Sequence, residues 1–150
     1  MLIEVKAKVT WLIDGKPRKK IETFIVSDCE LFSNAEYRVM AYLLDRQNEG
    51  FVSSSEIISL RQSPIKEVCT QWLNNYINHG YLSFIATLKD VQLTDDGTEK
   101  ALKYKVLLWA QDHTQALQRV QSLVHQGYDM YIEGIKQVNY EYLISNNNEQ

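Results

Sequence analysis

Six basic side chains crowd a stretch of fifteen positions near the start of the chain: Lys6, Lys8, Lys16, Arg18, Lys19 and Lys20. Ammonium and guanidinium groups at that density neutralise phosphates and release the counterions condensed on a nucleic-acid backbone. Lysines on a strand face have a second use, because they guard a sheet edge against unwanted pairing. A second set, Arg61, Lys66, Gln71, Asn74 and Asn75, consists of residue types that read base edges from a helix in the major groove. It is sparse for that task, and Glu67 lies within it.

Catalytic chemistry has few carriers. Cys29 and Cys69 lack CxxC spacing and a neighbouring histidine, so they read as structural thiols. His79, His113 and His125 share neither helical nor strand spacing, which predicts no metal set. Asp95 and Asp96 make a loose carboxylate pair, yet Asp96-Gly97 is turn chemistry first. No Gly-rich phosphate loop, nucleophile elbow or zinc-binding HExxH is present. We therefore expect no catalytic residue, no cofactor, no metal and no small-molecule substrate. Nine tyrosines, four of them bunched at Tyr128, Tyr131, Tyr140 and Tyr142, suit base stacking or an interface, but strand packing explains them first.

These residues must be held by elements that the hydropathy pattern outlines. Ile3, Val5, Ala7, Val9, Trp11 and Ile13 alternate with polar residues, as a half-buried strand requires. Asp14-Gly15 predicts a tight hairpin, with a return strand through Ile21, Phe24, Ile25 and Val26. Ser33-Asn34-Ala35-Glu36 has the form of a capping box, opening a helix whose apolar positions are Val39, Met40, Leu43 and Leu44. Cys69, Trp72, Leu73, Tyr76 and Ile77 follow helical spacing and predict a helix over residues 65–79, with Pro64 at its start and Gly80 after its end. Strands are expected over 81–93 and 103–110 around an Asp95-Asp96-Gly97 turn. Ala116, Leu117, Val120, Leu123 and Val124 mark an amphipathic helix capped by Asp112 or Thr114, and residues 130–144 read as one long strand.

The two ends of the chain echo one another. Asp14-Gly15, a strand, then Ala35, Arg38 and Val39 on a helix are matched by Asp96-Gly97, a strand, then Ala116, Arg119 and Val120. The expected fold class is therefore α+β: two tandem β-β-α-β units forming a pseudo-symmetric single domain, with an extra helix in the middle. The half-units span about 1–62 and 81–145, the inserted helix about 65–79, and residues 146–150 form a disordered tail.

The chain resembles domain-of-unknown-function family 4494 of Bacteroides-group bacteria, their phages and mobile elements. The resemblance is carried by Glu4-Val5-Lys6-Ala7-Lys8, by Gly15 with Arg18-Lys19, and by Phe32-Ser33-Asn34-Ala35-Glu36-Tyr37-Arg38. In the second half it rests on Glu99-Lys100, Val106-Leu107, Ala110, Asp112, Ala116, Arg119 and Tyr131-Ile132, with a departure over residues 65–80. It implies architecture and a phage or mobile-element provenance, and no activity. Residues 33–94 also resemble a winged helix-turn-helix: a first helix from Ser33, a short second one at 54–58, a recognition helix at 65–79 and a wing entered at Gly80-Tyr81-Leu82.

Length and charge bound the remaining expectations. With 150 residues, 45% of them apolar, the chain can bury one core or two very small ones. Its formal charge of −3 offers no whole-molecule attraction to nucleic acid or anionic lipid, so contact with either needs a local patch. No secretory leader and no window of roughly 18 apolar residues is visible, which makes a cytoplasmic location the default. The functional expectation is a non-enzymatic binding or assembly protein, self-associating through an edge strand or touching nucleic acid through the 6–20 ribbon. A winged-helix DNA-binding regulator or replication-initiator-like protein is the alternative.

Overall fold

The computed structural model describes residues 1–74, 80–125 and 130–145. Among them, eight strands and two long helices follow in the order β1 (Ile3–Ile13), β2 (Lys16–Ser27), α1 (Phe32–Asn48), β3 (Val52–Gln62), β4 (Ile65–Val68), β5 (Leu82–Leu93), β6 (Glu99–Ala110), α2 (His113–His125), β7 (Tyr131–Val138) and β8 (Tyr140–Ile144). A single turn of 3-10 helix, Thr70–Trp72, follows β4. No described helix is long and apolar enough to cross a membrane. The fold is α+β, in two four-stranded sheets.

The chain divides into two compact units, one of Met1–Ser63 with Tyr140–Gln150, the other of Pro64–Asn139. In the first, the sheet order is β3-β1-β2-β8. Antiparallel β1 and β2 meet at Asp14 (φ 53°) and Gly15 (φ 74°), a pair of left-handed residues whose twist matches that of the flanking strands. β3 returns antiparallel to β1, and β8 lies parallel to β2. One face of this sheet supplies Ile3, Val5, Ala7, Val9, Phe24 and Val26, and α1 supplies Ala35, Val39 and Leu43, to a closed cluster completed by Cys29, Val52 and Leu143. Spacing by four on the helix and by two on the strands places all of these on facing surfaces.

The second unit has the order β4-β6-β5-β7, with β5–β6 an antiparallel hairpin, β7 antiparallel to β5 and β4 parallel to β6. Phe84, Ala86, Leu88, Val106, Leu108 and Ala110 face Ala116 and Val120 of α2 in its core. Asp112 caps α2, its carboxylate accepting from the Gln115 amide at 2.8 Å, while the Gln115 side chain accepts from the Gln111 amide at 2.7 Å.

Several expectations need correction. Residues 65–68 form β4 and not the start of a helix, for β-branched Ile65 and Val68 find hydrogen-bonding partners along β6, and the Cys69 amide donates to the Leu107 carbonyl at 2.8 Å. Of the expected apolar row, Cys69 and Trp72 pack on the second core. Leu73 and Asn74 are helical, and residues 75–79, with the rest of the expected helix, lie outside the described residues. Residues 54–58, the short second helix of the winged reading, lie within β3, and the expected wing strands form the β5–β6 hairpin of a four-stranded sheet.

The long terminal strand is also two strands, parted at Asn139 and belonging to different sheets. Its even-numbered apolar face breaks earlier, because Glu133 is skipped in the ladder between Gly134 and Ile132. Ile132 and Ile135 both reach the core as a result. At the start of α1 the N-cap is Leu31, whose amide donates to the Asn34 side chain at 2.7 Å, so Ser33 is already inside the helix. Met40 and Leu44, expected in the core, are exposed. The tail at 146–150 lies outside the described residues.

Candidate nucleic-acid interface

The β1–β2 hairpin is buried at one end and bare at the other. From Ile3 to Val9 every second residue of β1 is buried, whereas Lys16 to Ile21 of β2 are all exposed. Trp11 marks the transition: half-buried against the first core, it donates its indole N–H to Glu22 Oε1 at 2.7 Å. Beyond it, a two-stranded ribbon continues past the packed body of its unit.

The pairing register distributes the six basic residues over both faces of this ribbon. Lys6 opposes Thr23, Lys8 opposes Ile21, and Lys19 opposes Thr10, which places these three lysines on the face away from α1. Lys20 opposes Val9, Arg18 opposes Trp11, and Lys16 opposes Ile13, which places these three on the other face. The cluster is thus positive on two faces, with Lys16 and Arg18 at the tip and Lys6, Lys8, Lys19 and Lys20 where β3 also pairs with β1. Among the described residues, the ion pairs join Arg46 to Glu49, Arg61 to Glu4 and Lys103 to Glu133, so none of the six cations is occupied by a carboxylate. On the face away from α1, Lys8, Thr10, Lys19, Ser54, Ser55 and Glu56 line a shallow cavity of about 280 Å³. The ribbon also exposes Leu12, Ile13 and Ile21, apolar groups available for contact with sugars or bases.

The alternative recognition set is dispersed. Arg61 sits on β3, where its guanidinium Nε donates to Glu4, and this hydrogen bond and the carboxylate's charge raise its pKa above the ordinary arginine value. Lys66 lies on β4 with its Nζ 5.1 Å from the centre of the Tyr104 ring. Gln71 is in the 3-10 turn, Asn74 ends the described segment, and Asn75 lies outside it. Arg61 belongs to the first unit and Lys66, Gln71 and Asn74 to the second, so no single helix face gathers them.

The remaining chemistry-bearing residues have local structural explanations. Cys29 and Cys69 are free thiols, both buried. Burial pushes both upward, Cys69 to about 12 with the charge of Glu67 adding to the effect, so neither is a ready nucleophile. Asp96 accepts from the hydroxyls of Thr94 and Thr98 and from the Thr98 amide, and these bonds, that of Thr94 foremost, hold its carboxyl at about 2. His113 packs edge-on to Phe84 with Nε2 3.3 Å from the Ile135 carbonyl. His79 and the side chain of His125 lie outside the described residues, among which no group of His, Cys, Asp or Glu is placed to hold a metal. Tyr142 donates to the Ser27 hydroxyl at 2.8 Å and Tyr140 is half-buried, so the β8 tyrosines pack their sheet. Tyr131 is exposed below Lys89, and Tyr128 lies outside the described residues.

One surface escaped the sequence reading. Tyr37, Met40, Ala41, Leu44 and Gln47 of α1, with Glu56 and Ile57 of β3, line a groove of about 640 Å³. Its signal was legible as a second i, i+3, i+4, i+7 stripe, Tyr37-Met40-Ala41-Leu44, running beside the buried Ala35-Val39-Leu43 row. Comparison with protein-family models, with curated proteins and with solved structures returned no match.

Proposed function

We propose that the protein is a non-enzymatic binding protein that contacts a nucleic-acid backbone through the β1–β2 ribbon. The observation that carries this reading is the hairpin and its approach: six cations on two faces, none in an ion pair among the described residues, with Lys16 and Arg18 at the tip and the other four where β3 still flanks β1. A two-stranded ribbon fits a groove, and cations on both faces reach the phosphates on its two sides. Nothing in the ribbon reads sequence, so the binding is backbone-directed and salt-sensitive. A phage or mobile-element setting for this role is supported by the family resemblance alone.

The scaffold supports a tandem duplication in which each repeat, β1-β2-α1-β3-β4 and β5-β6-α2-β7-β8, lends its last strand to the other repeat's sheet. Three features favour it. The two sheets share one pattern of order and direction. Each third strand is bulged in the same place, at Ile58 between the core residues Ile57 and Leu60, and at Glu133 between Ile132 and Ile135. Each unit boundary falls between the third and fourth strands of a repeat, at Ser63–Pro64 and at Asn139–Tyr140. On this reading the chain is one cooperative domain with a duplicated scaffold and a specialised hairpin in the first copy.

The test is fluorescence anisotropy with labelled single-stranded and duplex oligonucleotides over a salt series. Binding should weaken steeply with salt, and replacing Lys16, Arg18, Lys19 and Lys20 by glutamine should flatten the log–log slope by up to roughly three. Absence of binding by the unaltered protein at low salt overturns the proposal.

A further inference from the structure

The groove between α1 and β3 borders an open sheet edge. β3 is the end strand of its sheet, eleven residues long, and beside it α1 exposes Tyr37 (51%), Met40 (55%) and Leu44 (55%). The bulge leaves Ile58 outside the ladder with β1 and 47% exposed. β3 contains neither proline nor lysine, so its guards as an edge are the bulge at Ile58 and the charges of Glu56 and Arg61.

This apolar flank is not something the architecture demands. In the register that matches Ala35 and Val39 of α1 with Ala116 and Val120 of α2, the positions of Tyr37, Met40 and Ala41 are occupied by Gln118, Gln121 and Ser122. The same helix-on-sheet unit therefore forms with a solvated flank, and α1 carries Tyr and Met there for another reason.

The edge is complementary to itself. In β3, Glu56 and Arg61 oppose Lys8 and Glu4 of β1, which puts both on the face away from α1, while Ile57 and Leu60 oppose Ala7 and Val5 on the core face. If two β3 strands pair antiparallel about a twofold axis between Ile58 and Ser59, Glu56 falls opposite Arg61 and Ile57 opposite Leu60. Like faces match at both pairs, and the Glu56–Arg61 pair forms twice, once on each side of the axis. Arg61 uses Nε for Glu4, so the other guanidinium N–H groups remain for Glu56 of the second copy. Glu56 takes part in no ion pair among the described residues.

We infer that this edge and groove are the interface of a homodimer, in which two β3 strands pair antiparallel and the exposed stripes of two α1 helices cover one another. The dimer joins two four-stranded sheets into one of eight strands and leaves both basic ribbons outside the paired edge.

Sedimentation velocity over a concentration series tests this, with thermal melts followed by circular dichroism to show that the variants fold. The unaltered protein should sediment as a dimer that dissociates on dilution. Leu44→Glu and Glu56→Arg, both at exposed positions, should each weaken it by about tenfold or more. The glutamine variant of Lys16, Arg18, Lys19 and Lys20 should leave it unchanged, which separates this interface from the nucleic-acid ribbon. A monomer at every concentration overturns the inference, as does a dimer that resists Leu44→Glu or Glu56→Arg.

Discussion

Asp96 shows how much a single side chain can organise. Its carboxylate collects the hydroxyls of Thr94 and Thr98 and the Thr98 amide, closing the loop where Gly97 adopts φ 84°. These bonds favour the charged form and hold the carboxyl at about 2, against an ordinary aspartate value of about 3.9. Because the folded value is depressed, this contribution to stability is complete above the ordinary value and is lost as pH falls through about 2. An NMR titration of the Asp96 carboxyl should place its midpoint near 2, and Thr94→Val should move it upward. A midpoint in the ordinary range for the unaltered protein would contradict the turn geometry. Glu4 illustrates the opposite environment: a nearly buried carboxylate balanced by Arg61, which links β1 to β3.

Among the elements, the two helices solve one problem in related ways. Each starts where a side chain three residues into the helix turns back to accept an otherwise unsatisfied amide, Asn34 for Leu31 and Gln115 for Gln111. At α2 the Asp112 carboxylate adds a second bond, and its charge suits the positive end of the helix dipole. Asp112→Ala should cost about 1 kcal/mol, measured by urea denaturation, whereas Thr114→Ala should cost a few tenths at most. The strands differ more than the helices do. The β1–β2 turn uses two left-handed residues, while the β5–β6 turn spans 94–98 and is tied by Thr94 and Thr98. The first hairpin carries cations on both faces near its tip, and the second has Asp95, Asp96 and Glu99 at the matching end.

For the whole molecule, the pairing of the last strand with β2 has a mechanical consequence. Unit 1 takes β8 from the end of the chain, and with it Leu143 of its core and the Arg38 bond to the Ile144 carbonyl at 3.2 Å. A chain ending at Asn139 should leave Thr23–Ser27 of β2 as a bare edge, melt at lower temperature and expose apolar surface to a hydrophobic dye. On the duplicated reading the full chain should unfold in one transition by calorimetry and by circular dichroism, since neither sheet is complete without a strand from the other half.

The sequence by itself determined the elements whose pattern is local. Alternation from Ile3 to Val9, the Asp14-Gly15 turn, the Ala35-Val39-Leu43 and Ala116-Val120 rows and the Asp112 cap are each written within a few residues, because backbone geometry and side-chain period act over that range. The basic ribbon was legible for the same reason. Tertiary structure alone decided the rest. Residues 65–68 became a strand because β6 offered an edge, and residues 130–144 divided at Asn139 because two sheets each lacked a partner. The split of the six cations into three and three came from pairing register, and the exposure of Met40 and Leu44 from the Ala35-Val39-Leu43 row taking the core-facing side of α1. Hydrogen-bond partners and buried faces supplied by distant segments have no signature in the segment that receives them, and that is why those features waited for the fold.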